Sequence, residues 1–416
     1  MVNKLLTGNA AAAWGARLAE VDYVPAFPIT PQTEIIETLA EWFARGPMRG
    51  KFVTLDSEHS MMMAAGAAAA TGVRTFTATS SQGLVYAMEA LYTVAGWRVP
   101  LVLVNVSRGL SAPITLGADH NDVLAARDTG FIQLHAETCQ EVLDSVLMAF
   151  RIAEDRRVSL PVLVNLDGFH LSFTREAVEL PEVEQVRRFL PPFEPTQPVF
   201  RASQPVAQGV AVLDGSAYSF FRYQVHYATR NALEVYAESA ADFESHFGRR
   251  YDPLDAYRLD DAETVLVMAG SFSTKGKAAV ECWRAQGRRV GLVRPRMIRP
   301  WPAAQLMAAL AGRRAVGVID QNLSPGLGGI LYHEVAASLA NCDRPPAVLR
   351  SFVGGLGGKD ISRGEFDHVL QVLETAQPCA GYVEPELLFT RQEWERMQGR
   401  LALAGKGESQ LAGINQ

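Results

Sequence analysis

The first 170 residues alternate short apolar runs, rich in Val, Leu, Thr and Phe, with longer stretches whose apolar positions recur at helical spacing. Residues 52–55, 75–79, 101–106 and 162–166 read as strands, and residues 9–19, 33–44, 58–70, 83–95 and 138–153 as helices. In the last of these, Thr138 is placed to cap the helix with Glu141 three residues on, the spacing of a capping box. Strands alternating with helices in this way predict an α/β fold with a mainly parallel sheet covered by helices. Pro191, Pro192, Pro195, Pro198 and Pro205 then exclude regular helix or central strand, so that stretch reads as a linker across the surface. A helical region including residues 232–247 follows. From Thr264 a second series begins, with strands at 265–268, 290–293, 316–319 and 348–352 and helices starting near Ser273 and Pro302. The pattern divides the chain into a first α/β domain at 1–190, a proline-rich and helical extension at 191–260, a smaller α/β domain at 261–375, and a polar helical tail at 376–416.

Composition narrows the functions open to such a chain. At 416 residues it is too long for one ordinary core, and 48% hydrophobic with 20% charged residues describes a soluble globular protein. A formal net charge of -6 without a basic run argues against nucleic acid as the main partner. No apolar run reaches the roughly 18–20 residues that a membrane helix needs, so no membrane partner is expected. The N-terminus runs directly into a helical pattern without a signal-peptide core, which points to the cytoplasm. Cys139, Cys282, Cys342 and Cys379 are far apart and form no Cys-x-x-Cys, so free thiols are expected and no metal or iron–sulfur site.

Two glycine-rich stretches imitate nucleotide loops. Gly270 to Lys277 has five residues between its glycines where a phosphate loop has four, and Ala278 stands where a hydroxyl is needed. Gly355-Leu-Gly357-Gly358 is not the dinucleotide fingerprint and reads as a tight turn at a strand end.

The candidate chemistry lies in the first domain. In Phe27-Pro28-Ile29-Thr30-Pro31-Gln32-Thr33-Glu34, Pro31 suits a first helical turn and Thr30 an N-cap; the same hydroxyl could instead help hold an anionic substrate. Glu58, in Ser57-Glu58-His59-Ser60, is either a helix N-terminal charge or a desolvated acid that shares a proton with a buried heterocycle. Arg108 lies just past a strand, where open α/β sheets gather their ligands, and is either a surface ion pair or a bidentate clamp for a carboxylate. His120, in Asp119-His120-Asn121-Asp122, reads as structural, and His59, His135 and His170 receive no role.

Taken in order, Phe27 to Glu34, Ser57 to Ser60, Thr75-Phe-Thr-Ala-Thr-Ser-Ser-Gln-Gly-Leu84, Arg108-Gly-Leu-Ser-Ala-Pro113, Asp119-His120 and Arg127-Asp-Thr-Gly130 resemble the alpha subunit of the 2-oxoacid:acceptor oxidoreductase family, of the pyruvate:ferredoxin oxidoreductase and phenylglyoxylate dehydrogenase type. The likeness runs from about residue 5 to 375, ending in Gly354-Gly-Leu-Gly-Gly358. It implies a pyrimidine-type thiamine-diphosphate-binding domain followed by one like the C-terminal domain of transketolase. It also implies that Glu58 contacts the cofactor's aminopyrimidine, that Pro28 and Ile29 line it, and that Thr30 and Arg108 bind the 2-oxoacid. The reaction implied is oxidative decarboxylation with coenzyme A to an acyl-CoA and carbon dioxide. The Gly-Asp-Gly that usually holds the diphosphate and Mg²⁺ is missing, so a partner beta subunit is expected to supply those ligands, beside a gamma-type subunit and a ferredoxin-like iron–sulfur subunit. Pyruvate-type relatives commonly carry Trp-Asn before the Asp-His where this chain has Gly117-Ala118. If that loop lines the pocket, the vacated space suits an aryl 2-oxoacid such as phenylglyoxylate, with pyruvate the alternative. A non-catalytic scaffold subunit is the reading from another class.

Overall fold

The computed structural model describes residues 2–195, 197–378 and 383–403. Its first sheet runs in the order Met297–Arg299, Ile132–His135, Val162–Asp167, Val102–Ser107, Phe76–Thr79. All of its pairings are parallel except that of Met297–Arg299, which joins antiparallel at the edge. A bridge between Tyr23 and Thr75 continues the pattern to a parallel pair, Tyr23–Ala26 and Lys51–Thr54.

Side-chain alternation explains how this sheet is covered. Val102, Val104, Val162 and Val164 point to one face and pack with helices Gly8–Leu18 and Cys139–Ala153. Leu101, Leu103 and Leu163 point to the other and meet helices Glu58–Ala69 and Met88–Trp97. Strands with both faces covered read as continuous apolar runs, and Val102–Ser107 and Val162–Asp167 are buried throughout. The helix expected over 83–95 is two helices, Ser81–Tyr86 and Met88–Trp97, meeting at Ala87.

The second sheet has the order Glu386–Leu387, Val348–Val353, Ala315–Asp320, Thr264–Val267, Val290–Pro295, Leu254–Tyr257, with only the last strand antiparallel. Between the two series of strands, the described residues of the proline-rich stretch have no regular structure apart from an isolated bridge between Arg201 and Gln204. It leads into a 33-residue helix, Gly215–Phe247, capped by Asp214 and ended by Gly248 at φ 70. No helix among the described residues is long and apolar enough to cross a membrane.

The two sheets are fastened by buried charge. Thr138 caps its helix as expected, accepting from the Glu141 N–H at 3.2 Å, while the Glu141 carboxylate reaches back to accept from the Glu137 N–H at 3.1 Å, one residue before the cap. It accepts from Arg294 at 3.0 and 3.1 Å and from Arg296, both reaching from the second domain. Burial would raise the Glu141 pKa, yet the two guanidiniums hold it below the usual glutamate value.

Candidate functional site

Strand Lys51–Thr54 leads to Ser57, whose hydroxyl accepts from the Ser60 N–H at 3.1 Å and starts helix Glu58–Ala69. Glu58, the first residue of that helix, is 6% exposed. Among the described residues its carboxylate makes no hydrogen bond or ion pair. Gly83, at the start of the next helix, lets the carboxylate lie close: a Cβ there would stand 2.5 Å from Glu58 Oε1 and 2.6 Å from Thr79 Oγ1. The Thr79 hydroxyl is itself buried and unpartnered. The Glu58 side chain is largely enclosed and the Thr79 hydroxyl is buried, and neither has a partner among the described residues, so this corner suits a polar group from outside the chain.

Thr30 is not the helix cap. The helix begins at Thr33, with Gln32 in the cap position, where it makes no side-chain capping bond. Gln32 is fully buried and its amide donates to the Phe27 carbonyl at 2.9 Å, closing the turn that carries exposed Pro28, half-buried Ile29 and exposed Thr30. The Thr30 hydroxyl is therefore not used as a cap. Its carbonyl accepts from Arg108 Nη1 at 2.8 Å.

Arg108 is buried at the end of Val102–Ser107 and is not a surface ion pair. Its Nη2 donates to Gln82 Oε1, while Nε is buried without a partner. Burial pulls its pKa below the ordinary arginine value, with Asp122 opposing. Thr30, Glu58 and Arg108 thus converge through residues 82 and 83, at the carboxyl ends of parallel strands.

Gln82, Gly83 and Asp122 take part without having been singled out from the sequence. Asp122 is fully buried and gathers five hydrogen bonds: its Oδ2 accepts from the Ser81 N–H at 3.0 Å, Asn105 Nδ2 at 3.1 Å and the Arg108 N–H at 3.3 Å. Its Oδ1 accepts from Ser107 Oγ at 3.0 Å and the Val123 N–H at 2.7 Å. Burial, against those donors, pushes its pKa up to about 6.

His120, read from the sequence as structural, is buried. It pairs with buried Asp167 at 2.8 Å, and Asp167 also accepts from the Ser271 N–H of the second domain at 2.7 Å. Burial alone would raise the Asp167 pKa, but His120 and Ser271 hold it down at about 2. His135 lies edge-on to His120 at 5.1 Å, and its burial pushes it well below the usual histidine value. His59 pairs at the surface with Glu89, and His170 stacks on Phe272. Gly270 turns between strand and helix beside His120. Cys139, Cys282 and Cys342 are free, and Cys379 lies outside the described residues. No group of His, Cys, Asp or Glu among the described residues could hold a metal.

The loop thought to widen a substrate pocket does something else. A Cβ on Gly117 would stand 2.0 Å from the Gly357 carbonyl oxygen, and the Gly358 N–H donates to the Ala118 carbonyl. Asp119 Oδ2 accepts from the Gly357 N–H at 3.1 Å. The small residues admit the turn at 355–358 of the second domain, and the space they leave is filled by its backbone.

Residues 14–241 match the family described as pyruvate flavodoxin/ferredoxin oxidoreductase, thiamine-diphosphate-binding, and residues 262–366 match pyruvate:ferredoxin oxidoreductase core domain II. The chain belongs to the 2-oxoacid:ferredoxin oxidoreductase family, as an alpha-type subunit. It is 39% identical over 375 residues to the pyruvate synthase subunit PorA of Pyrococcus horikoshii, covering 90% of this chain and 94% of that one. It is 37% identical over 398 residues to the ketoisovalerate oxidoreductase subunit VorA of Pyrococcus abyssi, covering 95% and 98%. Among solved structures it is similar to the 2-oxoglutarate:ferredoxin oxidoreductase from Magnetococcus marinus with 2-oxoglutarate, coenzyme A and succinyl-CoA bound, at TM-score 0.69 and 19% identity. That match covers 89% of this chain, which spans 65% of the Magnetococcus chain. At that identity the likeness shows the fold, which is the α/β architecture expected from the sequence.

Proposed function

We propose that this chain is the alpha subunit of a thiamine-diphosphate-dependent 2-oxoacid oxidoreductase that converts a small aliphatic 2-oxoacid, with pyruvate first among them, and coenzyme A to an acyl-CoA and carbon dioxide. The observation that carries this is the buried, unpartnered Glu58 carboxylate, held open by Gly83. A cofactor aminopyrimidine offers a ring nitrogen to hydrogen-bond with that acid, so the residues present fit the pyrimidine half of the group. Bound thiamine diphosphate supplies the nucleophilic carbon and the electron sink for decarboxylation. Pro28 and Ile29 would border it. Arg108, with its unpartnered Nε, and the uncapped Thr30 hydroxyl would hold and orient the 2-oxoacid.

No group of three or more His, Cys, Asp or Glu among the described residues could hold a metal, and in this reading a beta subunit brings Mg²⁺ and closes the site. With no Cys-x-x-Cys in the sequence, iron–sulfur clusters on a ferredoxin-like subunit would take the electrons, in a cytoplasmic assembly with a gamma-type subunit. The relatives favour pyruvate over phenylglyoxylate, and Gly117, now accounted for by domain packing, no longer favours an aryl substrate. The branched-chain relative keeps a ketoisovalerate-sized acid as the second reading.

The test is Glu58→Ala in the reconstituted complex, with 2-oxoacid- and coenzyme A-dependent reduction of a viologen dye as readout. Activity should be lost; unchanged turnover would support a scaffold role instead. Relative turnover of pyruvate, ketoisovalerate and phenylglyoxylate ranks the substrates, and faster turnover of phenylglyoxylate than of pyruvate would reverse that preference.

A further inference from the structure

We infer that Asp122 is a positioning residue for this site, which sets where Arg108 and the turn bearing Gln82 and Gly83 stand. The inference rests on the reading of Arg108 as a 2-oxoacid ligand, and it identifies what aligns that ligand with Glu58. Two separate backbone segments end on one Asp122 oxygen: the Ser81 N–H at 3.0 Å and the Arg108 N–H at 3.3 Å. Ser81 takes φ 49, a left-handed conformation that a serine keeps only when neighbouring contacts demand it. Holding Ser81 there directs the next residue, Gln82, onto Arg108 Nη2, and the one after, Gly83, against Glu58. Asn105 and Ser107 donate to the same carboxylate and brace the strand end from which Arg108 leaves. Asp122 reaches neither Glu58 nor the Arg108 guanidinium by a hydrogen bond, so it acts through backbone.

The ionised form holds these groups best, because a carboxylate accepts from every donor turned toward it, three of them backbone N–H groups. Protonation would place a proton on one Asp122 oxygen and weaken its acceptance from the Ser81, Arg108 and Val123 N–H groups. The charged and titratable groups facing Asp122 are Arg108, Asp119 and His120.

The experiment is a pH profile of kcat/KM for the 2-oxoacid in the assembled complex, comparing the parent with Asp122→Asn and Ser107→Ala. The parent should lose activity as the pH falls through about 6. Asp122→Asn should be lower by about tenfold or more at neutral pH, the size expected when a buried partner of a charged acceptor is lost, and should lack that acid limb. Ser107→Ala, a milder change in case the first variant fails to assemble, removes one donor from the ionised form and should move the limb to higher pH. An unchanged limb in both variants overturns the inference, as does an Asp122→Asn complex with the parent's kcat/KM. Arg108→Lys in the same assay separates the two ideas. An unchanged KM there defeats the 2-oxoacid role of Arg108, whereas a raised KM beside a neutral Asp122→Asn defeats positioning alone.

Discussion

Replacing Gly83 by Ala adds one methyl group, and the structure says where it must go. The new Cβ would lie 2.5 Å from Glu58 Oε1 and 2.6 Å from Thr79 Oγ1, and 2.9 Å from Glu58 Cδ. Ordinary carbon–oxygen contact begins at about 3.4 Å, so the carboxylate must retreat by about 0.9 Å or the helix start must shift by as much. A misplacement of about 1 Å in a reacting group costs on the order of 100-fold in rate, which is about 2.7 kcal/mol of barrier. Gly83→Ala should therefore lower kcat/KM in the viologen assay about 100-fold while the chain still melts cooperatively. Glu58→Gln should be comparably low. The double variant should be little worse than either single one, because both act on one carboxylate. A Gly83→Ala complex within threefold of the parent, or full additivity in the double variant, would refute the claim that Gly83 exists to admit Glu58.

Three further outcomes follow from buried groups. Glu141→Gln leaves Arg294 and Arg296 short of their main counter-charge, a loss of about 3–5 kcal/mol, which in a chain of 416 residues corresponds to a fall in melting temperature of roughly 3–6 °C; a fall under about 1 °C would show that Glu137 and Asp255 suffice. Because the folded Glu141 pKa is depressed, its stabilisation is present above the unfolded value and fades as the pH drops, so the parent and Glu141→Gln should converge in acid. Asp320 behaves oppositely: burial raises it to about 7, so its contribution is full below the unfolded value of 3.8 and declines by about 4 kcal/mol as the pH rises through 7. Asp320→Asn, which keeps an acceptor for the Leu331 or Tyr332 N–H, should flatten that decline, and melting curves at pH 5 and 8 that stay parallel to the parent's would contradict it. Gly117→Ala drives a methyl into the Gly357 carbonyl and should destabilise by about 1–3 kcal/mol in denaturant melts without changing the order of substrate preference; a shift toward larger 2-oxoacids would restore a pocket role for that loop.

Continuous apolar runs marked the central strands and helical periodicity many of the helices, but Val2–Thr7, Ile132–His135 and Arg175–Leu180 were not read as strands. Periodicity failed at the start of Gly215–Phe247, where Tyr218, Phe220, Phe221 and Tyr223 leave no polar side and are all exposed, so no helical stripe marks that end. It also merged the helices that meet at Ala87, because alanine fits helix and junction equally. Glu58 and Arg108 were legible as site candidates because each stands at the end of a strand. Of the two readings of Thr30, cap or substrate ligand, the first is excluded, since Gln32 and not Thr30 occupies the cap. Asp122 was passed over as one acid among several in a short polar run, and only the fold shows five donors meeting there. Gly117 was misread because a missing side chain looks like empty space until the backbone that fills it, at Gly357 in the other domain, is placed.

The strand Met297–Arg299 belongs by sequence to the second half yet pairs with Ile132–His135 of the first sheet. A shortened protein ending before residue 297 would strip that cover away and bare unpaired amides and carbonyls beside Gln133 and Leu134. Such a naked edge recruits other chains, so the first half expressed alone should clump where the whole chain stays dispersed.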